Sequence, residues 1–181
     1  MQIKWDSYFM ALAKLASTRS GCNSRPTGAI IVKDKRVIAT GYNGSLPGEP
    51  QCTDNGNSFC YRRSQGKDDK GNRKYLDCKS LHAEQNALNQ LANQGGVSAK
   101  DCTMYCTLFP CIICFKNIKS CGIREIVYEL PYQSDDLERD KFWKEEVENS
   151  GIKVRHYILP DQDYIIIYKN VFEITSLRRL K

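Results

Sequence analysis

Two short runs hold the residues best suited to chemistry: His82-Ala83-Glu84 and Pro110-Cys111-Ile112-Ile113-Cys114. Cys111 and Cys114 stand three apart in a stretch expected to be helical, so both sulfurs face one side. They fall in that helix's first turn, where unpaired backbone N–H groups and the helix dipole favour thiolates. His82 opens a second expected helix and supplies a neutral imidazole. Two thiolates and one imidazole make three protein ligands for zinc. Catalytic zinc sites stop at three and keep a fourth position for water, and the ion draws that water's pKa toward ~7. Glu84 lies two residues from His82 and does not share its helix face. It is therefore read as the proton carrier beside the open position, a general acid and base in one carboxylate. Each piece alone is commonplace: a CxxC pair can be redox-active, a lone helical His is usually a satisfied surface or core residue, and a lone Glu is most often on a solvated face. The joint arrangement points to a catalytic metal site.

The elements that must position these residues follow from pattern. Ser7–Ser17 carries Tyr8, Leu12, Leu15 and Ala16 at helical spacing and is expected to be an amphipathic helix. Ala29–Val32 and Val37–Tyr42 are β-rich runs around Asp34-Lys35, a hairpin. Residues from Cys52 to Leu81 form a long polar stretch without period, which must be tied down if it belongs to a compact domain. Helices are expected over His82–Asn93, Pro110–Ser120 and Asp136–Asn149, and strands over Thr103–Leu108, Ile123–Tyr128, Ile152–Ile158 and Tyr164–Tyr168. Strands alternating with helices argue for an α/β layered domain opened by an antiparallel hairpin.

Composition agrees. A chain of 181 residues, 41% hydrophobic, is enough for one domain spanning residues 1–181. No apolar run nears the ~20 residues that span a bilayer. The start mixes Lys4, Asp6 and Lys14 among apolar residues and lacks a secretory signal's pattern, so a cytoplasmic protein is expected, with no membrane partner. Nine cysteines cannot all pair within one chain, and in a reducing compartment clustered cysteines are more often ligands. The excess of 27 basic over 21 acidic residues mildly favours an anionic partner such as a nucleotide phosphate.

The pairing of His-x-Glu with Pro-Cys-x-x-Cys is the signature of zinc deaminases that act on nucleobases. Here the chain resembles the cytidine/deoxycytidylate deaminase superfamily, and within it the deoxycytidylate branch. The matching stretches are Thr27–Val32, Gly41-Tyr42-Asn43-Gly44, Leu81–Ala87 and Tyr105–Cys114. The resemblance implies a cytidine deaminase-like three-layer α/β/α fold with a mixed five-stranded sheet. It implies hydrolytic deamination of dCMP to dUMP, feeding thymidylate supply, with Glu84 moving protons from water to N3 and the leaving amine of cytosine. It further implies a homo-oligomer, often a hexamer, with dCTP and dTTP as effectors. By resemblance Asn43 meets the sugar hydroxyl, although Asn-Gly is also a common turn pair. Tyr132 stands near the family's aromatic residue at the substrate phosphate, and Arg25 is a further phosphate candidate.

Cys22, Cys52, Cys60 and Cys78 lie in loop-like sequence. Some members of the branch carry a second, structural zinc, and Cys22 and Cys52 resemble its ligand positions. All four are expected to form a closed site that fastens the polar stretch. Cys102, Cys106 and Cys121 are expected to pack in the core. Two other functions are weighed. One is deamination of a base in tRNA or single-stranded DNA, which wants a basic groove with aromatic platforms; Arg62-Arg63 and Arg178-Arg179 are short and separated. The other is a non-catalytic zinc module, against which an intact Glu84 argues.

Overall fold

The computed structural model describes residues 2–56, 59–64, 66, 78–132 and 137–173. Strands β1 (Gly28–Lys33) and β2 (Arg36–Tyr42) form the expected hairpin. Its turn residues Asp34 and Lys35 have φ of 49° and 60°, the left-handed pair that matches the twist of two-residue hairpins. With β3 (Thr103–Leu108), β4 (Glu125–Leu130) and β5 (Lys153–His156) they make a five-stranded sheet in the order β2-β1-β3-β4-β5. Strand β1 runs antiparallel to β2 and β3, while β3, β4 and β5 are parallel. Parallel neighbours need crossover connections. Helices α4 (Ile112–Ser120) and α5 (Leu137–Glu148) supply them. The remaining helices are α1 (Trp5–Ser17), the single turn α2 (Tyr61–Ser64), α3 (Ala83–Gln94) and α6 (Asp161–Tyr168).

Strand alternation divides the core into two layers. Ala29, Ile31, Met104, Cys106 and Ile126 face α3, α4 and α5, meeting Ala83, Ala87, Leu91, Phe115, Ile118, Trp143 and Val147. Ile30, Val32, Tyr105 and Val127 face Phe9, Met10 and Ala13 of α1, with Leu159 beside them. The expected three-layer α/β/α arrangement with a mixed sheet is what forms. Arg155 on β5 ties the layers electrostatically. It donates to both carboxylate oxygens of Asp6 at 3.0 Å and to Glu125 at 2.6 Å, and Tyr105 also donates to Asp6 at 2.6 Å.

Three expectations are corrected. Tyr164–Tyr168 lies within α6 rather than a strand. Asp161 and Asp163 in the first turn favour a helix start, and β-branched isoleucines carry only a context-dependent strand preference. In α1 two members of the expected stripe, Tyr8 and Leu15, point outward at 43% and 64% exposed; Leu12 packs at the edge of the core, and the sheet receives Phe9, Met10 and Ala13. Both stripes have helical period, so spacing alone did not choose between them. Cys121 ends α4 at the surface rather than in the core, whereas Cys102 and Cys106 are buried as expected. Residues 67–77 of the polar stretch, and Arg178-Arg179, lie outside the described residues.

Two glycines let helices sit directly on the sheet. A Cβ on Gly28 would lie 2.0 Å from the Ala13 carbonyl of α1. A Cβ on Gly41 would lie 2.1 Å from the Ala83 carbonyl and 2.5 Å from the Ala87 nitrogen of α3. Backbone cannot yield cheaply there, so Gly41 sets how closely the first turn of α3 approaches β2. Gly41→Ala is expected to lower stability by about 1–3 kcal/mol, the usual cost of overpacking, read as a lower urea midpoint. A midpoint equal to that of the wild type would remove Gly41 from this role.

Candidate metal centre and active site

His82 and Cys111 occupy the same structural position on two helices. Each is the extended residue immediately before a helix, His82 before α3 and Cys111 before α4. The sequence expectation had Cys111 within the first turn and His82 opening its helix; both stand at the cap position immediately ahead of the helix. Gln85 accepts a hydrogen bond from the His82 N–H at 3.1 Å, which fixes how the chain enters α3. Pro110, fully buried, orients the entry to α4. The helix ends converge, and Cys114 one turn into α4 completes a cluster. Among the described residues, His82, Cys111 and Cys114 are the one group of three or more His, Cys, Asp or Glu whose ligand atoms all lie within 4.8 Å of one another.

The cluster fits zinc. Bonds of ~2.3 Å to sulfur and ~2.0 Å to nitrogen at a tetrahedral angle put S and N about 3.5 Å apart. His82 Nδ1 lies 3.5 Å from Cys111 Sγ and 3.4 Å from Cys114 Sγ. The electrostatics agree. The Cys111 sulfur, burial and Glu84 together push the Cys114 thiol far up. Burial alone would pull the His82 imidazolium down, but Cys111 and Glu84 outweigh it and hold its pKa above the usual 6.5. Negative charges crowded out of water raise one another's proton affinity, and a divalent cation relieves that. Two positive helix ends aimed at the sulfurs favour the thiolate forms further.

Glu84 sits in the first turn of α3, 4% exposed, beside the cluster but not part of it. Burial raises its pKa above the usual 4.5. A carboxyl that both takes and returns a proton near neutral pH needs such a shift. One pocket joins His82, Glu84 and Cys111 to Thr27, Asn43, Leu108 and Phe109, with Arg25, Arg62 and Tyr132 also lining it. Leu108 and Phe109 supply apolar surface, and Phe109 is held edge-on by Tyr128 at 4.9 Å.

Asn43 is a pocket residue and not a turn residue. It follows β2 with no left-handed backbone at Asn43 or Gly44, and Gly44 instead bridges to Leu81. Its Oδ1 accepts from Ser20 Oγ at 2.6 Å and the Thr27 N–H at 2.8 Å, and its Nδ2 donates to the Arg25 carbonyl at 2.9 Å. The carboxamide is thus oriented before any ligand arrives. Arg25 lies over the Tyr132 ring at 5.8 Å, so both phosphate candidates from the sequence meet at this pocket.

The other four cysteines behave differently. Cys22, Cys60 and Cys78 line the same pocket, and Cys52 is buried at a 3-10 turn, Cys52–Asn55. The four sulfurs do not gather within 4.8 Å as a group. The visible tie is Asn23, whose Nδ2 donates to the carbonyls of Cys52, Gly56 and Phe59 at 3.1, 2.7 and 3.0 Å. Sequence reasoning noted Arg62 only as half of a short basic pair and did not name Thr27 or Phe109 as pocket residues. Arg62 sits in a stretch without period, where no local pattern marks a functional residue.

A model of the cytidine and deoxycytidylate deaminase zinc-binding region matches residues 3–130. The chain is 40% identical over 167 residues to the deoxycytidylate deaminase of Saccharomyces cerevisiae, covering 92% of this chain and 49% of that one. It is 37% identical over 159 residues to the deoxycytidylate deaminase of Schizosaccharomyces pombe, covering 87% of this chain and 45% of that one. It therefore spans about half the length of these two relatives. A crystal structure of dCMP deaminase from the cyanophage S-TIM5 in complex with dCMP and dUMP superposes with a TM-score of 0.63 at 27% identity, covering 87% of this chain and 99% of that one.

Purified Cys114→Ser and His82→Ala proteins are expected to lose zinc that the wild type retains, measured by elemental analysis. Glu84→Gln should retain it. Zinc content unchanged in both ligand variants would rule the cluster out as the metal site.

Proposed function

This chain belongs to the cytidine and deoxycytidylate deaminase family, and we propose that it converts dCMP and water to dUMP and ammonia. One observation carries the reading: a buried carboxyl, Glu84, shares a pocket with His82 and Cys111 of the metal cluster and with an anion-suited rim. His82, Cys111 and Cys114 hold the zinc, which when bound acidifies a water toward neutral pH. Glu84 takes a proton from the attacking water and delivers it to N3 of the ring. It then passes the second proton to the amine leaving C4, so the carboxyl ends as it began. Leu108 and Phe109 flank the ring and exclude bulk water. Asn43, held by Ser20 and Thr27, presents its amide to the sugar hydroxyl, and Arg25 and Tyr132 face the phosphate end.

The proposal extends to the whole protein. Residues 1–181 act as one deaminase domain in the cytoplasm, a setting supported by nine free cysteines. Among the described residues no helix is long and apolar enough to cross a membrane. A homo-oligomer with dCTP and dTTP as effectors is supported by family resemblance and by exposed Trp5, Tyr8 and Leu15 on α1. A second, structural zinc on Cys22, Cys52, Cys60 and Cys78 rests on the family resemblance and on Cys22, Cys60 and Cys78 lining one pocket; the four sulfurs would have to draw closer than they stand here to share an ion.

Ammonia release should follow from dCMP and not from adenosine-containing RNA. Glu84→Gln should lower turnover by at least the ~100-fold typical of losing a general acid–base. Turnover of RNA but not dCMP would overturn the substrate. Elemental analysis should find two zinc ions per chain, falling to one in Cys52→Ser; one per chain in the wild type would remove the second site.

A further inference from the structure

Three aromatic rings stand side by side where the parallel strands end. Phe109 directly follows β3, Tyr128 lies near the end of β4, and His156 closes β5. Tyr128 and His156 are register partners across β4 and β5, so their side chains leave the same face of the sheet. Ile126, two residues before Tyr128, marks that face as the one covered by α3, α4 and α5. The Phe109 and Tyr128 centroids are 4.9 Å apart with the rings edge to face at 66°. Those of Tyr128 and His156 are 5.0 Å apart with the rings stacked at 28°. Both spacings fall in the attractive range for aromatic pairs.

Both ends of this row are fixed. His156 is exposed, yet its ring is held on two sides: by the face of Tyr128, and by the Glu129 carbonyl, to which its Nε2 donates at 2.7 Å. A carbonyl only accepts, so this bond requires the hydrogen on Nε2. At the other end the Phe109 N–H donates to the Leu130 carbonyl at 2.8 Å. Of the three rings only Phe109 lines the pocket that holds His82, Glu84 and Cys111. Ordering an exposed imidazole costs side-chain entropy. The ring it buttresses is Tyr128, and through Tyr128 the pocket wall at Phe109.

We infer that Tyr128 and His156 are positioning residues, which hold the Phe109 ring as a fixed apolar wall against the base of the nucleotide. The inference rests on the deaminase reading for the identity of that base. A flat heteroaromatic ring gains most from a wall already in place, because no side-chain freedom is then lost on binding.

Calorimetry with dUMP, and with 2-deoxyribose 5-phosphate, which lacks the base, separates this role from a general loosening of the pocket. His156→Ala and Tyr128→Ala should each weaken dUMP binding roughly two- to tenfold, the worth of one aromatic pair. Both should bind deoxyribose 5-phosphate as the wild type does. Tyr128→Phe keeps the ring and should bind dUMP at the wild-type value. Zinc content should be unchanged in all three. In the alanine variants KM for dCMP should rise with kcat little altered, as expected of a wall that meets substrate and transition state alike. In a Phe109→Ala background, His156→Ala should have no further effect. Wild-type dUMP affinity in both alanine variants overturns the inference. So does an equal loss of affinity for deoxyribose 5-phosphate, or a His156→Ala effect that persists without Phe109. A wild type that binds dUMP but releases no ammonia from dCMP sinks the proposed reaction and leaves the aromatic row standing.

Discussion

The structure turns on bringing two sulfurs and an imidazole together out of water beside a carboxyl. No arrangement of these groups is comfortable alone: each negative charge raises the proton affinity of the others. Two features make the crowding tolerable. The ligands stand at converging helix N-termini, where backbone N–H groups and dipoles supply positive potential. The spacing of sulfur and nitrogen then matches a single tetrahedral ion. The same burial that makes the cluster demand a cation also lifts Glu84 toward the range where it exchanges protons.

Convergence of the two helices is a property of the sheet. Helix α4 is the crossover that parallel pairing of β3 with β4 requires, so its N-terminus emerges at the end of β3. Helix α3 lies on the hairpin, brought down to backbone distance by Gly41. On the far face Asp6, Tyr105, Glu125 and Arg155 join α1, β3, β4 and β5 through charge-assisted bonds. These are only partly buried, so they serve registry more than bulk stability.

How much of this the sequence disclosed depended on how local the cause was. His82, Glu84, Cys111 and Cys114 were legible because helix period and metal coordination are both short-range rules. The Asp34–Lys35 hairpin was legible for the same reason. The buried face of α1 was not, because Tyr8–Leu15 and Phe9–Ala13 both satisfy helical spacing and only the sheet chooses between them. Tyr164–Tyr168 was misjudged because three isoleucines outweighed two acids at the helix start. Asn43 was ambiguous between turn and pocket until Ser20 and Thr27 were seen to hold its carboxamide. Arg62 and the four loop cysteines were hardest, since contacts across the polar stretch are long-range and leave no period.

The pocket is assembled from two kinds of material. Its floor comes from helix starts seated on strands, and its wall from connecting segments around residues 22–27, 43, 60–62, 78–80 and 132. Ligand fit and metal chemistry thereby rest on separate material. A change of length or sequence in the wall would alter which ligand fits, while the His82–Cys111–Cys114 cluster and Glu84 beneath it keep their supports.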